Sequence, residues 1–232
     1  MAIFRSMVRL VLFDIDGTLI RTGGAGVKAF GKVFQTEFKA IDGFEKLKFA
    51  GRTDTGLVRE FFGFHRIPAT DENFKRFFER YVFWLDHILK ETQTTICAGV
   101  SELIRGLQAL PKPPVLGLLT GNIRLGAEIK LRHAGLWDVF VTGGFADDSE
   151  ERDKIAAIAK ERGSRLLKEE LQGEHVLVIG DTPLDIRCAR AIGAKVLAVA
   201  TGTVPVEELQ LHKPEWAVKD LSELRGEEIV NS

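Results

Sequence analysis

Five short runs of Val, Ile and Leu recur along the chain, at Val8 to Phe13, Val115 to Leu119, Val139 to Thr142, Val176 to Ile179 and Val196 to Val199. They are nearly continuous in hydrophobicity, without polar and apolar residues alternating. Strands of that kind are covered on both faces, which is the situation of a parallel sheet layered between helices. The segments 99–110, 125–135, 153–163 and 182–193 place apolar residues three and four apart, and the last three end in glycine, a usual helix stop. Strand and helix in repetition predict an α/β fold, a doubly wound parallel sheet.

Residues 21–97 interrupt that rhythm. "FGKVFQTEF", "TGLVREFFGFHRI" and "DENFKRFFERYVFWLDHILKE" are helix-like, strand-type runs vanish, and most of the chain's 16 phenylalanines fall here. Spacing such as Phe74, Phe77, Phe78 and Tyr81 reads as a helical core stripe. The economical reading is an all-helical domain, 21–97, inserted into an α/β domain made of 1–20 and 98–232. "LIRTGG" and "TTICAG" are then the two linkers, close together at one edge of the sheet.

A chain of 232 residues buries enough surface for a proper core without staples. Its 32 Lys and Arg balance 33 Asp and Glu, so no excess of charge points to nucleic acid or to an anionic membrane. Cys97 and Cys188 lack the spacing of a disulfide framework or a zinc site, and buried free thiols are expected. "MAIFRSMVRLVLF" has no small-residue cleavage site, and no run approaches the roughly 18 apolar residues of a membrane span. These features predict a cytoplasmic protein of a reducing compartment.

The chemistry concentrates where the strands end. In a parallel α/β sheet the ligand site lies beyond the carboxyl ends, where the topology switches direction. The first strand ends in "DID", the second in "LLTGN" and the fourth in "VIGDTPLD". Two carboxylates one residue apart after an apolar run resist burial, because each raises the pKa of the other. Asp14 and Asp181, from different strands, are hard oxygen ligands of the kind Mg²⁺ takes, and a divalent cation between them would relieve that repulsion. Several carboxylates with a hydroxyl and a cation at a strand-end crevice suit phosphoryl transfer.

"DIDGTL", "LLTGN", the basic residue in "SEERDK" and "GDTPLD", in that order and with a helical insert after the first, resemble the haloacid dehalogenase superfamily, in its phosphoglycolate phosphatase-like branch with a helical cap. The resemblance covers nearly the whole chain. It implies Asp14 as a nucleophile that forms an aspartyl-phosphate, and Asp16 as general acid to the leaving alcohol and then base for the attacking water. The backbone carbonyl of Asp16 and the carboxylates of Asp14 and Asp181 would bind Mg²⁺. Thr120 and the N–H groups of Gly121 and Asn122 would hold the transferring phosphate. Asp185 would orient the metal through water or a neighbouring cation, an N-cap-region carboxylate being its competing role. The family's usual Lys-Pro before the helix after the third strand is absent, and Glu151-Arg152-Asp153 stands in its place; Arg152 is the expected phosphate-binding cation, with Lys154 as the alternative.

"GRTD" falls where relatives place the cap loop that reaches into the site, so Arg52 either pairs with a carboxylate or second phosphate of the substrate or belongs to a capping turn before the helix at Asp54. The glycines of "RTGGAG" suit a hinge. A dehalogenase needs no acid for its leaving group, and Asp16 argues against one. The resemblance implies a Mg²⁺-dependent phosphatase acting on a small phosphorylated metabolite, as monomer or homodimer. The alternatives are a phosphomutase of the β-phosphoglucomutase type and a non-catalytic binding module.

Overall fold

A computed structural model describes residues 7–231; residues 1–6, which open the segment judged above not to be a leader, lie outside the described residues. The chain runs β1 (Leu10–Phe13), β2 (Ile20–Arg21), α1 (Ala25–Phe38), α2 (Asp54–Phe64), α3 (Asp71–Glu91), β3 (Thr95–Ile96), α4 (Val100–Gln108), β4 (Val115–Leu119) and α5 (Arg124–His133). It continues through β5 (Thr142–Gly144), α6 (Arg152–Leu167), β6 (Val176–Gly180), α7 (Pro183–Ala191), β7 (Lys195–Val199), α8 (Val206–Leu211), β8 (Trp216–Val218) and α9 (Gly226–Val230).

Six strands form one sheet in the order β5-β4-β1-β6-β7-β8, every pairing parallel. β1 is central and buried at all four residues. Its side chains alternate between two cores, Val11 and Phe13 packing with Leu118, Ile179 and α4, and Leu10 and Leu12 packing with Ile155, Val178 and Ile186. Each such aliphatic side chain contributes about 1.5–3 kcal/mol by leaving water. Sequence order jumps from β1 to β4 on one side and to β6 on the other, so the switch point lies at the carboxyl end of β1.

The helical insertion makes its own aromatic core of Phe30, Phe34, Phe61, Phe62, Phe77 and Tyr81. Two of its helices open on Thr caps, Thr53 accepting from the Gly56 N–H and Thr70 from the Asn73 N–H. The linkers do more than lie side by side. β2 and β3 pair antiparallel, Ile20 opposite Ile96, so a two-stranded ribbon joins insertion to sheet. No helix among the described residues is long and apolar enough to cross a membrane.

Two elements differ from the sequence reading, both through glycine. The third strand was expected at 139–142, yet Trp137–Val139 is a 3₁₀ turn, Val141 is 65% exposed, and the strand is Thr142–Gly144. A Cβ on Gly144 would lie 2.6 Å from the Ile155 carbonyl oxygen of α6, so the strand needs residues that an apolar scale scores poorly. Gly163 does not stop α6, which runs on to Leu167. A Cβ there would lie 2.5 Å from Leu10 Cδ2, and this glycine serves the close approach of helix to sheet.

Candidate active site

β1 hands over directly to the site. The Asp14 N–H still donates to Ile179 O at 2.9 Å, so the sheet holds its backbone. Ile15 is fully buried in the core, and the two-residue alternation turns Asp14 and Asp16 the other way. Gly17 follows in the left-handed region at φ 87°, its N–H donating to Ile20 O and closing the turn into β2. A Cβ on Gly17 would lie 2.5 Å from Asp181 Oδ2, and one on Gly202 would overlap the same oxygen. The backbone therefore approaches Asp181 as only glycine permits.

Asp14, Asp181 and Asp185 are each buried, and one carboxylate oxygen from each lies within 4.8 Å of the other two. Arg152, at the start of α6 and 4% exposed, contacts Asp185 Oδ1 and lies 3.6 Å from Asp14 Oδ1. Asp185 Oδ2 accepts from the Thr182 N–H at 3.0 Å and from Thr182 Oγ1 at 2.6 Å, forming a capping box on α7. The capping role weighed for Asp185 is thus taken by Oδ2, while Oδ1 faces the Arg152 guanidinium. Lys154 pairs with Glu151 at 2.6 Å, is largely exposed and does not line the cavity.

Burial raises the Asp14 carboxyl well above the usual range, helped by Asp185 and opposed by Arg152. The Asp181 carboxyl rises in the same direction, from burial first and then from Asp185 and Asp14. Burial also works against the Arg152 charge, but the two neighbouring carboxylates raise its pKa further. One guanidinium cannot neutralise three buried carboxylates. This all-oxygen donor set, with glycines cleared around Asp181, fits a divalent cation.

At the end of β4, Thr120 is buried and its Oγ1 accepts from Asn122 Nδ2 at 2.8 Å. Asn122 Nδ2 also donates to Asp16 Oδ2 at 2.9 Å. The cap loop meets this turn backbone to backbone, Asp54 N–H donating to Gly121 O at 2.7 Å, while Asp54 Oδ2 accepts from the Ile123 N–H at 2.9 Å. Thr53 Oγ1 donates to Glu150 O at 3.0 Å beside Arg152. The capping turn of "GRTD" is present, Thr53 capping α2, and the loop also reaches the strand ends. Arg52 lines the cavity, with its guanidinium on Glu60 Oε2 at 2.7 Å.

These elements enclose a cavity of about 460 Å³, with Asp14, Thr120, Arg152 and Asp181 below and Phe30, Phe49, Leu57 and Tyr81 of the insertion above. Lys130, Thr18 and Thr201 were missed in the sequence. Thr18 Oγ1 donates to Asp181 Oδ1 at 3.2 Å, and Thr201 Oγ1 donates to Gly17 O at 2.6 Å. Lys130 had a legible signal, because it falls on the apolar face of its helix three residues after Ala127 and four before Ala134. Thr18 lies inside the "DIDGTL" motif but was given no role there, and nothing local marked Thr201.

This arrangement, a parallel sheet with acidic strand ends under a helical cap, is that of a hydrolase of the haloacid dehalogenase type. The family model of haloacid dehalogenase-like hydrolases matches residues 11–199, and the chain belongs to that family. It is 28% identical over 191 residues to a bifunctional riboflavin kinase/FMN phosphatase of Arabidopsis thaliana, 82% of this chain but only 48% of that one. It is 25% identical over 220 residues to a protein assigned by name as the pyrophosphatase PpaX in Caldanaerobacter subterraneus, 94% of this chain and 93% of that one. Among solved structures, a predicted phosphoglycolate phosphatase from Haemophilus somnus superposes with a TM-score of 0.69 at 18% identity, covering 96% of each chain. The chain is an enzyme, and its relatives are phosphatases by name.

Proposed function

We propose that this enzyme is a phosphatase that hydrolyses a small phosphate monoester through an aspartyl-phosphate intermediate. The observation that carries the reading is the convergence of Asp14, Arg152, Asp181 and Thr120 beneath one capped cavity. An Asp14 carboxylate oxygen attacks phosphorus, the bond to the leaving oxygen breaks, and Asp16 gives that oxygen its proton. Asp16 then takes a proton from water, the water oxygen attacks phosphorus, and inorganic phosphate leaves with Asp14 restored.

Arg152, the Thr120 hydroxyl and the N–H groups of Gly121 and Asn122 hold the transferring phosphoryl oxygens. Asp185 acts by fixing Arg152. Mg²⁺ held by Asp14, Asp181 and the Asp16 carbonyl would supply positive charge opposite the phosphoryl group. Residues 21–97 act as a cap on the domain formed by 1–20 and 98–232, and the β2–β3 ribbon is where the cap pivots. Arg52 contributes to substrate choice by exchanging Glu60 for an anionic group of the substrate.

The test is phosphate release from p-nitrophenyl phosphate and a panel of phosphorylated metabolites, with Mg²⁺ and with a chelator. Turnover that needs Mg²⁺ is expected. Absence of phosphate release across the whole panel with Mg²⁺ present overturns the reading.

A further inference from the structure

We infer that Lys130 is a positioning residue for the acid–base step, aiming the Asp16 carboxyl at the leaving-group oxygen. The inference rests on the phosphatase reading above and extends it to a residue outside its motifs. Lys130 projects from α5, the helix that follows the Thr120 turn, and is only 4% exposed. Its Nζ donates to Asp16 Oδ2 at 2.6 Å and to Asn122 Oδ1 at 2.6 Å. Asn122 Nδ2 donates to that same Asp16 oxygen, as noted above, and also to Thr120 Oγ1.

A buried ammonium is costly unless its partners are well placed, so a lysine on this helix face needs a reason. Here it closes a ring from the Thr120 hydroxyl through the Asn122 amide and Lys130 to Asp16. Both donors converge on Oδ2, and no hydrogen bond to Oδ1 is made among the described residues. The carboxyl is thereby clamped on one oxygen while the other remains for proton transfer, at a side chain that is otherwise 43% exposed. Without the clamp an exposed Asp16 rotates freely, and a general acid works only within hydrogen-bond reach of its target. Tyr81 and Asp54 of the helical insertion line the same cavity as Lys130, and a Cβ on Gly26 would lie 3.4 Å from Nζ.

Leaving-group dependence tests this in a way that packing alone would not move. A nitrophenolate leaves without a proton, whereas an alkoxide does not. The quantity to read is kcat/KM, which reports phosphoryl transfer from substrate and is blind to the later hydrolysis of the intermediate. Across p-nitrophenyl, phenyl and an alkyl phosphate, Lys130→Met is expected to lower kcat/KM by about 100-fold for the alkyl ester, the low end of what a general acid contributes, and by under about tenfold for the nitrophenyl ester. Lys130→Arg keeps the charge with altered reach and is expected to fall between, and it carries the same comparison if Lys130→Met does not fold. An equal loss on all three esters overturns the inference and leaves Lys130 a packing residue. A wild-type enzyme inactive on all three and on the whole metabolite panel overturns the phosphatase reading together with this one.

Discussion

The aromatic interior of α1–α3 and the buried carboxylates of the floor beneath it are both withdrawn from the surface, yet burial acts on them with opposite sign. Phe34 is 1% exposed and has ring neighbours Phe30, Phe38, Phe44, Phe61, Phe62 and Phe77 at centroid distances of 3.6–6.4 Å. Every one of those contacts favours the folded chain. Asp14 and Asp181 are buried nearly as deeply, and burial is the leading cause of their raised pKa values. Desolvation there works against folding. The insertion therefore supplies stability, and the strand ends are held in place by the structure around them. Function is found where burial is unfavourable and glycine and buried polar partners are needed to sustain it.

Asp14→Asn is the strongest way to break that contrast. Turnover is expected to drop by several orders of magnitude, because in the proposed mechanism this group attacks the reacting phosphorus itself. Thermal stability measured without divalent metal should not fall, since one of three crowded carboxylates is gone. Recovery of more than about a tenth of wild-type kcat, a barrier change of only some 1.4 kcal/mol, would remove Asp14 as nucleophile.

Phe34→Ala should do the reverse. A buried phenylalanine truncated in a packed cluster costs about 3–5 kcal/mol, which chemical denaturation can measure. The folded fraction at low temperature should keep catalysis, because Phe34 does not line the cavity. A cost below about 1 kcal/mol would mean that the aromatic cluster is loosely packed and that the contrast is wrong.

The smallest expected effect lies at the border of the two regions. Burial raises the Asp54 carboxyl to about 7, with Lys130 and the Ile123 N–H pulling it down. Since the folded value lies above the ordinary 3.8, the group favours folding below pH 4, and that contribution is lost as pH rises to about 7. Asp54→Asn keeps an acceptor for Ile123 and cannot ionise. The drop in melting temperature from pH 5 to pH 8 should be smaller in the variant by about 2–4 °C, the size of 1 kcal/mol in a chain of this length. An unchanged drop would show that Asp54 titrates like an exposed carboxylate.

Most of the fold was legible because its signals are local. Runs such as "VLVI" and "VLAV" are short, apolar and rich in β-branched valine, which suits a strand covered on both faces, and "DENFKRFFERYVFWLDHILKE" declares its apolar face by spacing alone. β5 was misplaced because its residues, Thr142 to Gly144, are selected by the approach of α6 and not by hydrophobicity. β8 was missed for a related reason, a three-residue edge strand, "WAV", being too short to show a period. Asp14, Asp16, Thr120, Asp181 and Arg152 could be nominated from motif order at strand ends.

The chain by itself determined which residues end the strands, and hence that two aspartates, a threonine and a third aspartate would meet at the switch point. Parallel pairing leaves those ends nowhere else to go. Tertiary structure alone decided what each group faces. It turned Lys130 inward to Asp16, divided the two oxygens of Asp185 between Arg152 and Thr182, and brought Gly202 against Asp181 across the sheet. Such contacts join positions up to 114 residues apart in the case of Lys130 and Asp16. Local propensity carries no record of them, because they are set by how helices pack on the sheet across long separations in sequence.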